Sequence, residues 1–413
     1  MTVGNGTPRG YPNVFDAGLP LLNYWNSGHP EEAHRLIRRA RETAPIALGP
    51  HGPEILSYSL ARSVIRDPRF GVPRGLFLAS QGVTSGPLWD KAVFNLLDLD
   101  GPAHTRLRRL VSKAFTPRAT ARLQTIITEV ITGLVDPLEA TGHCDVVTDI
   151  ARPYPVPIIC ALLGAPPEDS SLFSRWADDC FKLFSWDAPA HEREILFAYA
   201  AFDAYIDDMV AERRLRRSDD LISELIRAEE DGDRLSTDEM CMMAEGLLLA
   251  GTDTTRNQLA ASVQVLCEHP EQWALLAAHP EMMPRAVDEL LRHSPIGFSS
   301  IRVALEDVMV GGVCIPAGTQ VMVNGAAANR DPEVFRDPGT LDVTRENASA
   351  MVTFGGGVHY CLGANLAKAE LVQALTVITQ RLHHPRLVGP APWKPLGGIT
   401  GPMTLPIEFD LAG

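Results

Sequence analysis

The chain lacks most features of a nucleic-acid-binding, disulfide-stapled or zinc-binding protein. Its 413 residues hold 37 lysines and arginines against 51 aspartates and glutamates, and the formal net charge of −14 argues against nucleic acid as a general partner. The seven cysteines are scattered and never form a Cys-x-x-Cys pair, so neither a disulfide framework nor a zinc ribbon is indicated. No internal repeat, low-complexity tract or Ser/Gly linker divides the chain. We therefore expect a single domain over residues 1–413.

Targeting and membrane-spanning signals are also missing. Residues 1–13 are polar and interrupted by Gly and Pro, without the apolar core of a signal peptide. No run approaches the ~20 apolar residues that a spanning helix needs. We therefore expect a soluble, cytoplasmic protein with no membrane span. No G-x-G-x-x-G motif follows a strand-like segment, which indicates that the chain has no nicotinamide-binding or flavin-binding module of its own.

Hydrophobic periodicity predicts a mainly α-helical chain with a smaller β portion. Helical spacing dominates residues 104–227 and 236–291. Short strand-like segments follow or precede these helices, including residues 55–58 and 321–323. The stretch 72–97 is apolar but interrupted by Gly and Pro, which predicts a long functional loop.

A glycine-rich loop near the C-terminus contains one cysteine and is the most informative feature of the chain. The segment runs Phe-Gly-Gly-Gly-Val-His-Tyr-Cys-Leu-Gly from Phe354 to Gly363, and a helical sequence follows it. Glycines let the backbone approach a flat ligand, and a helix N-terminus just after Cys361 favours thiolate over thiol. A lone cysteine is more often a small buried hydrophobic residue. In this setting, however, an anionic sulfur suits axial binding to haem iron.

The Phe, Gly, His, Cys and Gly at these offsets resemble the haem-binding loop of the cytochrome P450 family. The resemblance covers the chain from about Asp98 to the end. It implies the P450 fold, with haem b (iron-protoporphyrin IX) between the long central helix and the helix after the cysteine. It also implies that Cys361 binds the iron and that Phe354, Gly355 and His359 contact the cofactor. The activity implied is that of a bacterial-type monooxygenase, which inserts one atom of O₂ into a hydrophobic small molecule by hydroxylation or epoxidation.

A long predicted helix holds the residues that suit proton delivery. Ser236 and Glu239 form a capping box at its start, and no proline follows for several turns. Gly and Thr are poor helix formers, so their cluster at 250–255 suggests a widened groove. Oxygen activation needs two protons at the distal oxygen, and a carboxylate beside an alcohol can relay them. By itself the cluster also fits a helix kink with a solvated acid, but beside the cysteine loop Asp253 and Thr254 look like the family's acid–alcohol pair.

Three charged residues are expected to hold the fold. Glu289 and Arg292 are three residues apart and therefore share one helical face. On a surface such a pair contributes little. The P450 resemblance instead implies a buried pair that a later arginine completes, and Arg345 is the candidate. Removing one partner of a buried ion pair costs about 3–5 kcal/mol.

Four basic residues are candidate partners of the haem propionates. His104 and Arg108 interrupt an otherwise apolar helical face, and burying a cation requires an anion. The resemblance adds Arg302 and His359 to this set. The alternative is ordinary surface basicity.

The opposite face of the same helix carries Arg106, Arg109 and Lys113. Such a stripe on an acidic protein is either a solvated face or a docking site for an acidic electron donor. Because the chain has no reductase module, we expect electrons from a separate ferredoxin and ferredoxin reductase, drawing on NAD(P)H.

The substrate is not readable from the sequence beyond its hydrophobic character. A terpenoid, a steroid, a fatty acyl chain and a polyketide fit equally well. The pocket candidates lie on the long helix, after the Glu–Arg pair and near the C-terminus, and they are Leu247, Leu248, Ala250, Gly251, Ile296, Phe298, Ser299 and Met403.

Two alternatives from other classes remain open. A haem-thiolate peroxygenase would use H₂O₂ directly and would not need the acid–alcohol pair. A cysteine hydrolase would use Cys361 as nucleophile and His359 as base, but no third orienting group accompanies them.

Overall fold

Helices dominate the structure, which confirms the mainly α prediction. The computed structural model describes residues 10–75, 78–230 and 235–411, so residues 1–9 of the N-terminal segment and 76–77 of the predicted loop lie outside it. In chain order the helices are α1 (Pro30–Thr43), α2 (Tyr58–Val64), α3 (Pro87–Val93), α4 (Gly101–Ser112), α5 (Pro117–Ala121), α6 (Gln124–Val135), α7 (Pro155–Leu163), α8 (Ser170–Phe181), α9 (Glu192–Leu215), α10 (Leu221–Glu230), α11 (Thr237–Cys267), α12 (Pro270–Ala278), α13 (Met283–His293), α14 (Gly325–Asn329) and α15 (Ala364–Arg381).

The described strands form three small sheets. They are β1 (Ile46–Gly49), β2 (Gly52–Ile55), β3 (Phe70–Gly71), β4 (His143–Asp145), β5 (Ser299–Ala304), β6 (Val308–Val310), β7 (Val313–Ile315), β8 (Gln320–Asn324), β9 (His383–Leu387) and β10 (Pro406–Asp410). The strand orders are β1-β2-β8-β5-β3, β4-β10-β9 and β6-β7. The β portion is therefore smaller than the helical portion, as expected.

The chain divides into two compact units. Unit 1 comprises Met1–Pro73, Asp288–Cys361 and Pro392–Thr400. Unit 2 comprises Arg74–Val287, Leu362–Ala391 and Gly401–Gly413. The single domain expected from the sequence stays a prediction.

Unit 1 is built on the five-stranded sheet. β5 and β8 pair antiparallel, from Ser299 opposite Asn324 to Val303 opposite Gln320. Apolar side chains from the sheet pack into one buried cluster with Phe335. The strand predicted at 55–58 is wrong after its first residue, because β2 ends at Ile55 and the Ser57 side chain caps α2.

Unit 2 is built around α11. Its 31 residues span about 46 Å at 1.5 Å per residue. The predicted capping box is present, since Ser236 Oγ accepts from the Glu239 amide at 3.1 Å and a Glu239 carboxylate oxygen accepts from the Ser236 amide at 3.0 Å. α11 packs against α7, α8, α9 and α15. Burial on several sides explains how a helix with weak helix formers in its middle stays intact.

Two further sequence expectations are modified in unit 2. The stretch 72–97 is not a continuous loop, because α3 forms within it. Among the described residues one stretch, Val146–Leu163, is long and apolar enough to cross a membrane by length and composition alone. It is 61% buried within the protein, and core helices of soluble proteins meet the same criterion.

Candidate functional site

The cysteine loop of unit 1 folds back on itself. The Cys361 amide donates to the Phe354 carbonyl at 2.9 Å, which closes the loop at its two ends. Gly355 and Gly357 have φ of 70° and 65°, a region that side chains other than glycine rarely occupy. A Cβ at residue 357 would lie 2.7 Å from the Ile65 carbonyl oxygen. The glycines are therefore required both for the turn and for the close packing of the loop on residues 65–66.

Cys361 differs from the other six cysteines in its exposure. It is the one exposed cysteine among the seven, all of which lie in the described part of the chain. Burial raises the pKa of the other thiols, for example to about 12 for Cys160 and Cys267, so these stay protonated. Cys361 alone is an exposed cysteine, and it lies at the end of a glycine loop and three residues before α15. This arrangement fits a ligand of haem iron.

The structure brings Glu289, Arg292 and Arg345 together in the core of unit 1. Arg292 donates to both Glu289 oxygens, from Nε at 2.6 Å and from Nη2 at 2.7 Å. Arg345 Nε also donates to both, at 3.2 and 3.1 Å. The side chains of Glu289 and Arg292 are fully buried. Each of these buried charges would destabilise the fold if it were unpaired, and here the carboxylate and the two guanidinium groups are paired with each other.

The buried ion pair also supports the segment that leads into the cysteine loop. Arg292 Nη1 donates to the Asn329 carbonyl at 2.9 Å. The Asn329 amide group in turn donates to Thr353 Oγ1 at 2.8 Å and accepts from the Val352 amide at 2.8 Å. Thr353 Oγ1 donates back to the Leu291 carbonyl of α13. The position of the loop thus depends on α13 through a closed set of hydrogen bonds.

One face of α11 is less buried than the rest. Leu247, Ala250, Gly251 and Thr254 are partly or fully accessible, and their spacing of i, i+3, i+4 and i+7 places them on one side of the helix. A Cβ at residue 251 would lie 2.5 Å from Ile159 Cδ1 of α7. Gly251 therefore permits close packing of α7 beside this accessible strip.

The predicted back-bond of Thr254 is present. Thr254 Oγ1 donates to the Ala250 carbonyl at 2.6 Å, and Thr252 Oγ1 donates in the same way to Leu248 at 2.6 Å. The two threonines differ in burial, since Thr252 is buried whereas Thr254 lies on the accessible strip. Only Thr254 is therefore placed to offer its hydroxyl to a ligand.

Asp253 is buried and already bound by its own helix. Its Oδ1 accepts from Arg256 Nε at 2.7 Å, and its Oδ2 accepts from Asn257 Nδ2 at 3.0 Å. Arg256 also donates from Nη1 to Asp178 of α8 at 2.8 Å. The sequence analysis missed Arg256, Asn257 and Asp178. The i+3 and i+4 spacing from Asp253 was a usable signal for the first two, but nothing in the sequence indicates the contact with α8.

A second buried carboxylic acid lies next to α11. Glu370 of α15 is 1% exposed, and it hydrogen-bonds the Thr255 side chain. Burial raises the pKa of Glu370 to about 8, so it is mainly protonated at neutral pH. Its Oε1 has no hydrogen-bond partner among the described residues. An amphipathic helix gives no sequence signal for this acid, because the position looks like ordinary surface charge.

The candidate propionate partners differ in their surroundings. In unit 2, α4 buries His104 and half-buries Arg108 on its inner face. In unit 1, Arg302 is buried in β5 and donates to the neighbouring Ile301 carbonyl at 2.8 Å, while His359 is half-buried. Arg302 is therefore a basic side chain in the interior of unit 1.

The basic stripe requires a correction. Arg106 forms an ion pair with Glu239 of α11 and is therefore not an uncompensated surface charge. Arg109 and Lys113 are exposed on α4 and the turn after it. Arg106 is therefore left out of the proposed docking surface.

The structure separates the pocket candidates into two groups. Leu247, Ala250, Gly251, Ser299 and Met403 keep accessible surface. Leu248 and Phe298 are 1% exposed, and Phe298 packs on Tyr24 and His34 with ring centroids 5.6 and 5.2 Å away. We remove these two from the pocket, because their side chains are core residues. Ile296 is buried, and its carbonyl accepts from the Thr400 amide at 2.8 Å, which joins two candidate segments of unit 1.

Comparisons with known proteins agree on one family. The sequence pattern described as "Cytochrome P450" matches residues 167–277 and 277–387. The chain is 41% identical over 322 residues to Nocardicin C N-oxygenase of Nocardia uniformis subsp. tsuyamanensis, covering 76% of this chain and 79% of the relative. It is 39% identical to Mycinamicin IV hydroxylase/epoxidase of Micromonospora griseorubida, covering 97% and 99%. The crystal structure of CalO2 superimposes with a TM-score of 0.89 at 28% identity, covering 95% and 100%.

Proposed function

The chain belongs to the cytochrome P450 family, and from this membership we propose that Cys361 binds the haem iron through its thiolate. The enzyme is a monooxygenase with a haem-thiolate cofactor, which we propose to be haem b. The observation that carries the assignment of Cys361 is its exposure at the end of the glycine loop, where no other cysteine is exposed. When bound, haem supplies the activation of O₂.

Several side chains of this chain would hold the cofactor. We propose that His104, Arg108, Arg302 and His359 bind its carboxylate groups, because they are basic residues that the family resemblance places around the propionates and each is buried or half-buried. Phe354 and Gly355 would line the sulfur ligand, since they begin the loop that Cys361 closes. Glu289, Arg292 and Arg345 would act only by supporting that loop and the core of unit 1.

Asp253 and Thr254 are proposed to deliver protons during oxygen activation. One oxygen atom leaves as water, so two protons must reach the reacting oxygen from solvent. Thr254 presents its hydroxyl on the accessible strip of α11, with the back-bond to Ala250 fixing its orientation. Asp253 is adjacent in sequence and would supply protons to it.

The electron donor is a separate redox protein, and we propose a ferredoxin. No donor is identified by the relatives' names. Arg109 and Lys113 support the proposal, because two exposed cations on a protein of net charge −14 would attract an acidic partner. We also propose a cytoplasmic location, because such a donor chain would draw on NAD(P)H.

The substrate is a small organic molecule, which we propose to be hydrophobic. The residues proposed to contact it are the accessible strip of α11 and Met403 in unit 2, and Ile296 and Ser299 in unit 1. The names of two relatives indicate N-oxygenation in one and hydroxylation or epoxidation in the other, so the position of oxidation varies among related enzymes. A screen for substrate-induced changes in haem spin state would identify ligands.

The experiment that tests this function uses isotopically labelled oxygen. The haem-loaded enzyme, a ferredoxin, its reductase and NADPH are incubated with a ligand from the screen under ¹⁸O₂. We expect one labelled atom in the organic product and the other in water. Product that carries oxygen from unlabelled water would contradict the monooxygenase assignment for that substrate.

A peroxygenase is the second candidate, because the relatives' names do not specify the oxidant. Under this alternative H₂O₂ alone would sustain turnover, and Thr254→Ala would leave it unaffected. We expect the opposite on both counts, since α11 presents a threonine hydroxyl beside a buried acid.

A further inference from the structure

The five-stranded sheet of unit 1 holds a buried carboxyl group to which the proposed function assigns no role. Glu54 of β2 is 1% exposed, and its Oε2 accepts a hydrogen bond from Asn324 Nδ2 of β8 at 3.0 Å. A Cβ at Gly49 would collide with Glu54 Oε1, so this glycine leaves the room that the carboxyl group occupies. A polar group buried this deeply is costly unless its neighbours bind it. The hydrogen-bond partners of Glu54 therefore determine what it does.

The hydrogen bonds around Glu54 end at Ser299, which is proposed to contact the substrate. Asn324 Nδ2 also donates to Tyr24 Oη at 3.3 Å, and Tyr24 Oη lies 3.2 Å from Ser299 Oγ. Tyr24 and Asn324 are buried, whereas Ser299 keeps accessible surface. All four residues belong to unit 1. The network therefore joins a buried acid to the hydroxyl group of an accessible residue.

Two of these side chains are restricted in the hydrogen bonds that they form. Asn324 Oδ1 accepts from the Ala327 amide at 2.8 Å at the start of α14, so the amide nitrogen must be the atom that faces the acid and the phenol. Burial and the charge of Glu54 raise the pKa of Tyr24 well above its ordinary value, so Tyr24 stays a neutral phenol. A phenol has one proton to donate. Tyr24 therefore donates either to Glu54 or to Ser299, but not to both.

We propose that Glu54 is a positioning residue for substrate recognition: through Tyr24 it keeps the Ser299 hydroxyl as a hydrogen-bond acceptor, so that Ser299 favours substrates that present an O–H or N–H group. This inference rests on the proposed contact of Ser299 with the substrate. A carboxylate attracts the Tyr24 proton more strongly than a hydroxyl does, because charge-assisted hydrogen bonds are the stronger ones. The phenol oxygen then has to accept, and Ser299 places its own proton on that oxygen. Ser299 is left with lone pairs, and no proton, for a ligand.

Protonation of Glu54 reverses the direction of these hydrogen bonds. A protonated carboxyl group donates, and the Tyr24 oxygen is the acceptor beside it. Tyr24 then places its proton on Ser299, whose own hydroxyl proton becomes free for a ligand. Burial raises the pKa of Glu54 to about 7, even though hydrogen bonds with Asn324 and Tyr24 act in the opposite direction. The two states of Ser299 should therefore interchange near neutral pH.

Other charged groups do not control the protonation of Glu54. Among the described residues its pKa responds to burial, Asn324 and Tyr24, and to no charged side chain. The adjacent strands β1 and β8, both wholly described, consist of uncharged residues. α1 packs on β1 and buries one titratable side chain, that of His34, whose pKa burial and nearby cations hold well below its ordinary value. Trp25 acts on Tyr24 and carries no charge. The pH response of the network should therefore come from Glu54.

The test compares matched probes on the haem-loaded protein. The probes are octanol, decanol, dodecanol and the methyl ether of each, and their binding is measured from the change in haem spin state. An alcohol both donates and accepts, whereas its methyl ether only accepts. At about pH 8.5 the wild type should prefer the alcohols, and at about pH 5.5 this preference should fall by roughly 2- to 10-fold, which corresponds to one hydrogen bond.

Four variants make the comparison specific. Glu54→Gln and Tyr24→Phe should each give the same alcohol-to-ether preference at both pH values, because the first cannot ionise and the second has no proton to pass on. Tyr58→Phe removes another tyrosine hydroxyl of unit 1, which donates to the Ala350 carbonyl at 2.7 Å, and should keep the pH dependence. Ser300→Ala changes the next residue of β5, on the opposite face of the sheet, and should keep it as well.

A pH dependence that persists in Glu54→Gln would overturn the proposal. If Glu54→Gln does not fold, Tyr24→Phe, which deletes one oxygen atom, decides the question in the same way. A pH dependence that Tyr58→Phe or Ser300→Ala abolishes as completely as Tyr24→Phe does would also overturn it, because the effect would then not belong to the network.

Ser299→Ala separates a failure of this inference from a failure of the function on which it rests. It should lower the affinity for the alcohols at about pH 8.5 to that for the ethers, because the acceptor is lost. If it leaves all three alcohols unchanged, the proposed contact of Ser299 with the substrate is wrong and the inference fails with it. If it weakens the alcohols while the wild-type preference is the same at both pH values, only the role of Glu54 is wrong.

Discussion

Arg345 Nε donates to both oxygens of Glu289, although the two residues lie 56 positions apart in the sequence. Arg292 binds the same carboxylate from one helical turn away, and all three side chains are buried. Through Asn329 this cluster reaches Thr353, which precedes the cysteine loop. A single substitution in this cluster should therefore lower both the stability of the protein and its haem content.

Glu289→Gln should destabilise the protein by about 3–5 kcal/mol, because two buried arginines lose their anion. Haem content after purification should fall with it. The control is Glu408→Gln, which breaks an exposed ion pair with Arg386 at 3.4 Å and should cost less than about 1 kcal/mol. Urea unfolding of the haem-loaded proteins measures the loss of unfolding free energy in each variant. Equal losses for the two variants would show that burial does not govern the Glu289 contribution.

Thr254→Ala should leave haem binding intact and uncouple turnover. NADPH consumption continues, H₂O₂ rises and product falls, since proton delivery weakens without the hydroxyl. Thr252→Ala is the matched control, because it removes the same kind of back-bond at 2.6 Å from the buried face of α11. The ratio of product to NADPH checks the prediction. A ratio as low in Thr252→Ala as in Thr254→Ala would assign the effect to helix distortion.

Glu370→Gln should change how stability depends on pH. The folded pKa of Glu370 is raised to about 8, whereas an unfolded glutamate titrates near 4.3. Between these values the folded protein binds a proton that the unfolded chain does not, so the wild type loses stability as pH rises through this window. The variant lacks this loss. Its unfolding free energy relative to wild type should rise by up to about 4 kcal/mol from pH 4.5 to pH 8.

The control for this pH series is Glu271→Gln, an exposed position on α12. The unfolding free energy of this control should change with pH as that of the wild type does, from pH 4.5 to pH 8. A Glu370→Gln series that also runs parallel would mean that Glu370 ionises normally in the folded protein.

The double variant Arg109→Glu, Lys113→Glu should slow reduction by a ferredoxin without altering substrate binding. The effect should shrink as salt rises, because exposed charges are screened within ~10 Å at 0.1 M ionic strength. The double variant Arg193→Glu, Arg216→Glu makes the same change in net charge at two exposed positions, one in α9 and one directly after it. Stopped-flow reduction rates across a salt series distinguish the two. Identical low-salt rates for both double variants would show that Arg109 and Lys113 do not form the docking site.

The features that the sequence predicted correctly depend on residue spacing within one helix or on hydrophobic periodicity. The capping box, the back-bonding threonine and the shared face of Glu289 and Arg292 all follow from spacing within one helix. The general α-rich architecture follows from periodicity. Arg345 was assigned through the family resemblance, and the structure brings it to Glu289.

Long-range packing explains what the sequence did not predict. Arg106 belongs to a clear basic stripe, but its pairing with Glu239 depends on how α4 packs near the start of α11. Asp178 reaches Arg256 only because α8 packs on α11, and Glu370 is buried only because α15 does so. Leu248 and Phe298 were given to the pocket on hydrophobicity, which does not distinguish a core side chain from one that faces a ligand.

The reduced, carbon-monoxide-bound spectrum of Cys361→Ala tests the central claim most directly. The wild type and Cys267→Ala, which removes a half-buried thiol, should both give the thiolate-type spectrum. Cys361→Ala should not give it, because no other cysteine is exposed. A thiolate-type spectrum from Cys361→Ala would contradict the assignment of Cys361 as the haem ligand.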